Sequence, residues 1–193
     1  LSQLQGIHVW QLVRDGRGRI WARMYDRGLD RIDPKTMRVE HVVGKDRIIN
    51  DLAADREGNL WAAMDGEIRR FGISAGTDRS FSIAEYGDEA SAMLCQVEGD
   101  MWAVMGNDCC ILRADGTSLR FAVPGFRPLA ICYDRVSGSV LLGGNDAVVS
   151  IPTARMNEKR QHSHMFMSGM MVDGKSFVPE EGSTAYLSAV TLA

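Results

Sequence analysis

Trp21, Trp61 and Trp102 stand 40 and 41 residues apart, and Leu141 follows Trp102 by 39. A bulky residue returning at so regular an interval restricts the chain to architectures built from one repeated supersecondary unit. The flanking residues repeat as well. Gln11 to Ala22 and Asp51 to Ala62 align as an apolar run, a turn and a second run bearing the Trp. Leu94 to Ala103 gives a third, slightly shorter copy, and Ile131 to Gly143 a fourth in which Leu141 replaces the Trp.

Each unit has the same order of parts. The first run ends in a turn such as Asp55-Arg56-Glu57-Gly58, where Asp suits the opening position and Gly supplies a positive φ. Gly18 and Gly58 hold equivalent places. A third run follows at 28–33, 67–71, 110–114 and 148–151, and a fourth is clearest at 37–43 and 119–123. Four short alternating strands per unit describe a β-propeller blade, and no stretch sustains helical spacing. The expected fold is therefore all-β: four propeller blades of four antiparallel strands, forming a partial propeller. The expected divisions are 7–46, 47–88, 89–126 and 127–155 within a region 1–160. Trp21, Trp61 and Trp102 are expected to fill the wedges between blades, where burial contributes about 1.5–3 kcal/mol each. The grammar changes in 161–193. There Met170 to Val178 reads as a hairpin turning at Asp173-Gly174, and Ala185 to Leu192 as a further strand, after a polar linker from Thr153 to His162.

Composition narrows the functional classes. A net charge of −3 with scattered basic residues lacks the footprint of a nucleic-acid binder, so no such partner is expected. No apolar run reaches the roughly 18–20 residues that span a bilayer. Cys95, Cys109, Cys110 and Cys132 match no zinc spacing and read as small strand residues, with a disulfide unassignable from spacing.

The Asp-x-x-Gly-x-Leu-Trp unit, followed by Gly28-Leu29-Asp30-Arg31-Ile32-Asp33, resembles the two-component regulator propeller repeat. The resemblance covers 7–155, is strongest at Asp15 to Asp33 and Asp55 to Phe71, and fades in the fourth unit. Such repeats build the extracytoplasmic sensor regions of bacterial hybrid two-component system sensor histidine kinases of the Bacteroidetes type. The resemblance implies a periplasmic piece of a longer protein, with blades, then a β-sandwich module beginning within 161–193, then a membrane helix and a kinase. It implies ligand sensing, with a small molecule or oligosaccharide as partner, no cofactor, no catalysis in this piece, and membrane contact only through parts beyond this sequence. Propellers of this family commonly have seven blades. Four would leave sheet edges exposed, and self-association through them is expected.

Chemical motifs are scarce. Gly16-Arg17-Gly18 opens no nucleotide loop, because Trp21 stands where a third glycine belongs. His162 and His164 lack further metal ligands in the sequence, so no metal site is expected, and His8 and His41 read as isolated. Propellers bind ligands where inner strands and loops converge. On that analogy the candidate ligand residues are His8, Trp10, Arg47, Asn50 and Arg127, by stacking and charge-assisted hydrogen bonds. Contacts between blade loops would explain the same residues. Two other functions fit the repeat: a metal-dependent propeller lyase of the streptogramin-lyase type, and a passive protein-interaction scaffold.

Overall fold

A computed structural model describes residues 4–25, 28–74, 76–83 and 92–154, with the backbones of Met170–Val172 and Lys175–Phe177. The chain divides into two units, Leu1–Arg155 and Met156–Ala193.

Four separate antiparallel sheets make up the first unit. Sheet one runs β1 (Val9–Arg14), β2 (Ile20–Met24), β3 (Leu29–Ile32), β4 (Val39–Val43). Sheet two runs β5 (Ile49–Ala54), β6 (Leu60–Met64), β7 (Glu67–Phe71), β8 (Arg79–Ser82). Sheet three runs β9 (Ala92–Val97), β10 (Asp100–Met105), β11 (Asp108–Leu112), β12 (Ser118–Ala122). Sheet four has three described strands: β13 (Ala130–Asp134), β14 (Ser139–Gly143), β15 (Val148–Pro152). The first strands lie side by side, β1 against β5, β5 against β9 and β9 against β13. This is an arc of β-propeller blades around the inner strands, all-β as expected. Strand β8 escaped sequence reading because only Phe81 breaks its polar run.

In the second unit, β16 (Met170–Val172) pairs antiparallel with β17 (Lys175–Phe177). The expected β-sandwich, the strand at 185–192, most of the polar linker, and His162 and His164 otherwise lie outside the described residues.

The tryptophans are buried, Trp21 at 0% exposure and Trp61 and Trp102 at 2% each, Trp102 meeting Phe121 of its own sheet edge-on. Trp21 packs in one core with Leu52, Leu60, Ala62 and Met64 of sheet two. Trp61 packs in the next with Leu94, Met101, Ala103 and Met105 of sheet three. The alternation of β6 explains this double service, since Leu60, Ala62 and Met64 face one neighbour while Trp61 and Ala63 face the other.

Turn chemistry locks the Trp in place. Asp15 accepts the backbone N–H groups of Arg17 (3.0 Å) and Arg19 (2.9 Å) through Oδ1, which shapes the turn. Its Oδ2 accepts Arg19 Nε at 2.7 Å and Trp21 Nε1 at 2.8 Å. Asp55 repeats the arrangement on Asn59 N (2.7 Å) and Trp61 Nε1 (2.9 Å), with Arg70 Nε at 3.3 Å. Burial pushes both carboxyls upward, but donation from the indole and from the residue four positions on outweighs it and holds both below the ordinary Asp value. The same turns interlock between blades. Gly16 N donates to Gly58 O at 2.8 Å, and Gly58, at φ 85°, lies against Gly16 so closely that a methyl on either would collide with the other backbone.

Side chains also stitch the inner strands together. The Gln11 amide meets the Leu52 peptide on both sides, accepting its N–H at 3.0 Å and donating to its C=O at 2.9 Å. One sheet further on, Asp51 accepts Leu94 N at 2.8 Å. Each contact ties a main-chain group of the next blade's first strand, and the Leu52 N–H is shared with Asp51 Oδ1 of its own sheet at 2.8 Å.

Candidate ligand-binding site

The site lies at the ends of β1 and β5 opposite the Asp turns. Both strands carry a β-bulge there. Val9 pairs with Met24 and Gln11 with Arg23, leaving Trp10 as the extra residue; Ile49 pairs with Met64 and Asp51 with Ala63, leaving Asn50. A bulge re-aims the side chain it carries. Two of the five residues chosen from sequence thus occupy the same special backbone position in neighbouring blades, while β9 and β13 run in regular register.

Trp10 is 60% exposed and Tyr25, just after β2, is 57% exposed. Their ring centroids are 4.5 Å apart, and His8 meets Tyr25 edge-on at 6.3 Å. Tyr25 N donates to His8 O at 2.8 Å, which sets the spacing of the cluster. The Arg23 guanidinium sits 5.0 Å from the Trp10 ring centre, held by donation from Nε to Ile49 O at 2.6 Å. Burial lowers Arg23 from the ordinary guanidinium value, with Asp51 pulling the other way, and the group keeps its charge. Two exposed aromatic rings fixed beside an anchored cation offer a stacking surface with a donor at its edge. Tyr25 and Arg23 were missed in the sequence because each is brought to Trp10 by strand pairing, and Tyr25 breaks no pattern of its own.

Arg47 has a different role. Its Nε donates to Asp65 Oδ1 and one terminal nitrogen to Asp65 O, both at 2.7 Å, while Glu67 lies at 3.3 Å. The hydrogen bond to Asp65, joined by the charges of Asp65, Glu67 and Asp46, raises Arg47 above its ordinary value despite some burial. Its backbone O accepts Gly28 N at 3.1 Å, so Arg47 ties sheet one to sheet two. It also borders an open cleft of about 570 Å³ with Asp65, Glu67, Ser80 and Ser82. Asn50 is half-buried on β5. Arg127 is exposed on the loop between β12 and β13, and no hydrogen bond, ion pair or ring contact among the described residues joins it to the others.

His41 is not isolated, contrary to the sequence reading. Cross-strand pairing of β3 and β4 sets it opposite Asp30, and its Nδ1 lies 2.7 Å from Asp30 Oδ1. Asp30 is wholly buried and also accepts Gln5 Nε2 at 2.7 Å and Gln5 N at 2.8 Å. The histidine and carboxylate therefore fasten the segment before β1. Among the described residues, no three His, Cys, Asp or Glu side chains converge as a metal centre would require.

Sheet geometry and inner-strand packing define a propeller arc. Solved structures share that arc. The extracellular domain of a one component system from B. thetaiotaomicron superposes with a TM-score of 0.67 at 23% identity, over 76% of this chain and 21% of the other. The extracellular domain of a hybrid two component system from the same organism gives 0.65 at 16% identity, over 94% and 28%. Virginiamycin B lyase from Staphylococcus aureus, a catalytically inactive form with quinupristin, gives 0.54 at 17%, over 75% and 55%. At such identities the likeness establishes the fold, and the chain spans 21% and 28% of the length of the two extracellular domains. No protein-family model and no curated protein matches the chain.

Proposed function

We propose that this chain is part of an extracytoplasmic ligand-sensing propeller of a hybrid two component system, located in the periplasm, with a carbohydrate as its ligand and no reaction of its own. The observation that carries the proposal is the exposed cluster of Trp10, Tyr25 and His8 beside the anchored Arg23. Its bulged position re-aims an indole that would otherwise follow the strand alternation. A pyranose presents an apolar C–H face to an indole and hydroxyls to a guanidinium, and the cluster supplies both partners. The fold shared with the extracellular domains of a one component system and a hybrid two component system agrees with this reading, and histidine-kinase chemistry would reside beyond this sequence.

Isothermal titration of the chain with a panel of neutral and acidic oligosaccharides tests the proposal. One sugar class binds, and Trp10→Ala weakens it about tenfold while leaving thermal stability nearly unchanged, because the ring is exposed. Equal affinity of the variant, or silence across the panel from folded protein, refutes it. The fold likeness to a lyase favours a second reading, in which the propeller opens a cyclic ester with a divalent cation. Metal-dependent turnover of a streptogramin would establish that reading in place of the first.

A further inference from the structure

A second cluster lies at the opposite end of the sheets, beyond the far end of β1. The turn between β1 and β2 and the end of β3 face the loop between β7 and β8 across a cleft of about 430 Å³. Arg17, Arg19 and Arg31 line one wall, and Gly72, Ser74 and Asp78 line the other. We propose that this cleft binds an oxyanion group, the chemistry shared by sulfate, phosphate and carboxylate ligands.

Two of the guanidinium groups are positioned before any ligand arrives. Arg19 donates from Nε to Asp15 Oδ2 at 2.7 Å and lies 5.8 Å from the Trp21 ring centre. Arg31 lies 5.3 Å from the same ring centre and donates to Glu40 Oε2 from Nε at 3.2 Å and from one terminal nitrogen at 2.5 Å, which leaves its other terminal nitrogen for a ligand. Trp21 is itself immobilised by Asp15. The indole and the two carboxylates thus hold both planar forks, and the terminal nitrogens of Arg19 take no part in its bond to Asp15. Arg17 is exposed at the mouth of the cleft and has no side-chain partner among the described residues. Once Arg19 is matched by Asp15 and Arg31 by Glu40, its charge is the uncompensated one. Asp78 is already committed, accepting Gly72 N at 2.9 Å and standing 3.7 Å from Arg69. The preorganised terminal nitrogens of Arg19 and the remaining donor of Arg31, beside an unmatched positive charge, favour a small anion with several acceptor oxygens over chloride.

The test titrates the isotope-labelled chain with sulfate, inorganic phosphate and acetate, each against sodium chloride at equal ionic strength. The arginine Nε–H resonances and the intrinsic Trp fluorescence serve as readouts. A saturable shift with an oxyanion and not with chloride is expected. Arg17→Ala should weaken it about fivefold, and Arg135→Ala, on sheet four, should not. A stronger response to sulfate and phosphate assigns a tetrahedral group, and a stronger response to acetate assigns a carboxylate. An equal response to chloride, or an unchanged titration of Arg17→Ala, overturns the site. Trp10→Ala leaves this titration intact, so it stands or falls separately from the saccharide proposal.

Discussion

Replacing Asp55 by Ala should be among the most damaging single changes in the arc, although it removes only one carboxylate from a turn. That carboxylate accepts from Asn59 N, Asn59 Nδ2, Trp61 Nε1 and Arg70 Nε. Trp61 is 2% exposed and cannot turn its N–H to water without leaving the core between sheets two and three. A buried donor left without a partner costs about 1–3 kcal/mol, and the charged bond to Arg70 and the lost turn add to that, for a total of about 3–4 kcal/mol. In a unit of this size that corresponds to a fall in Tm of about 10 °C. Asp55→Asn keeps one acceptor oxygen without the charge and should lose roughly half as much.

Thermal unfolding followed by circular dichroism measures both variants, with Asp134→Ala as the reference. Asp134 also opens a β-turn but is solvated and holds the Ser137 hydroxyl and backbone N–H groups, Val136 N at 2.9 Å among them, with no buried donor depending on it. The pH dependence supplies a second arm. Asp15 and Asp55 are held below the ordinary Asp value of 3.8, so the unfolded chain takes up protons first as pH falls. Their contribution is complete above that value and is lost as pH drops through the lower folded values. Asp55→Ala should therefore flatten the acid-side loss of stability. If Asp55→Ala falls no further than Asp134→Ala, or keeps the full acid-side loss, the claim that the turn carboxylate anchors the Trp is wrong.

Two further outcomes follow from packing and burial. Gly58→Ala should cost about 2–4 kcal/mol in denaturant titration, since it combines positive φ with collision against Gly16, whereas Gly138→Ala, with open space around it, should cost about 1–2 kcal/mol; equal costs would refute the interlocking of the first two turns. Burial pushes the Cys109 thiol up to about 11, and Cys132 is exposed, so a thiol-specific disulfide reagent on native protein should modify Cys132 first and reach Cys109 only after unfolding. Early modification of Cys109, detected by peptide mapping, would contradict that order.

The repeat was legible in the chain because it is a pattern of local choices. Alternating runs, Asp-to-Gly turns and a bulky residue every 40 or so positions required no knowledge of which sheet met which. The burial of Trp21, Trp61 and Trp102 followed from the same periodicity, since a residue repeated at one place in every blade must meet the same environment in each. Trp10 and Asn50 were singled out from sequence by analogy with where propellers bind, but their shared bulge was not visible there. A bulge is a shift in pairing between two strands, and no single strand records it.

Tertiary structure decided the rest, wherever only strand pairing or blade packing brings residues together. Tyr25 and Arg23 reach Trp10 across the β1–β2 ladder, and His41 reaches Asp30 across β3 and β4. Arg47, a ligand candidate or a contact between blade loops on sequence alone, pairs with Asp65 and Glu67. The Arg17, Arg19 and Arg31 cleft exists because sheet two closes over the turn end of sheet one. Local sequence determines which strand a segment forms and which face it buries. The partners of a charged or aromatic side chain on the exposed face depend on register and on the neighbouring blade, which are set by the packing of the whole arc.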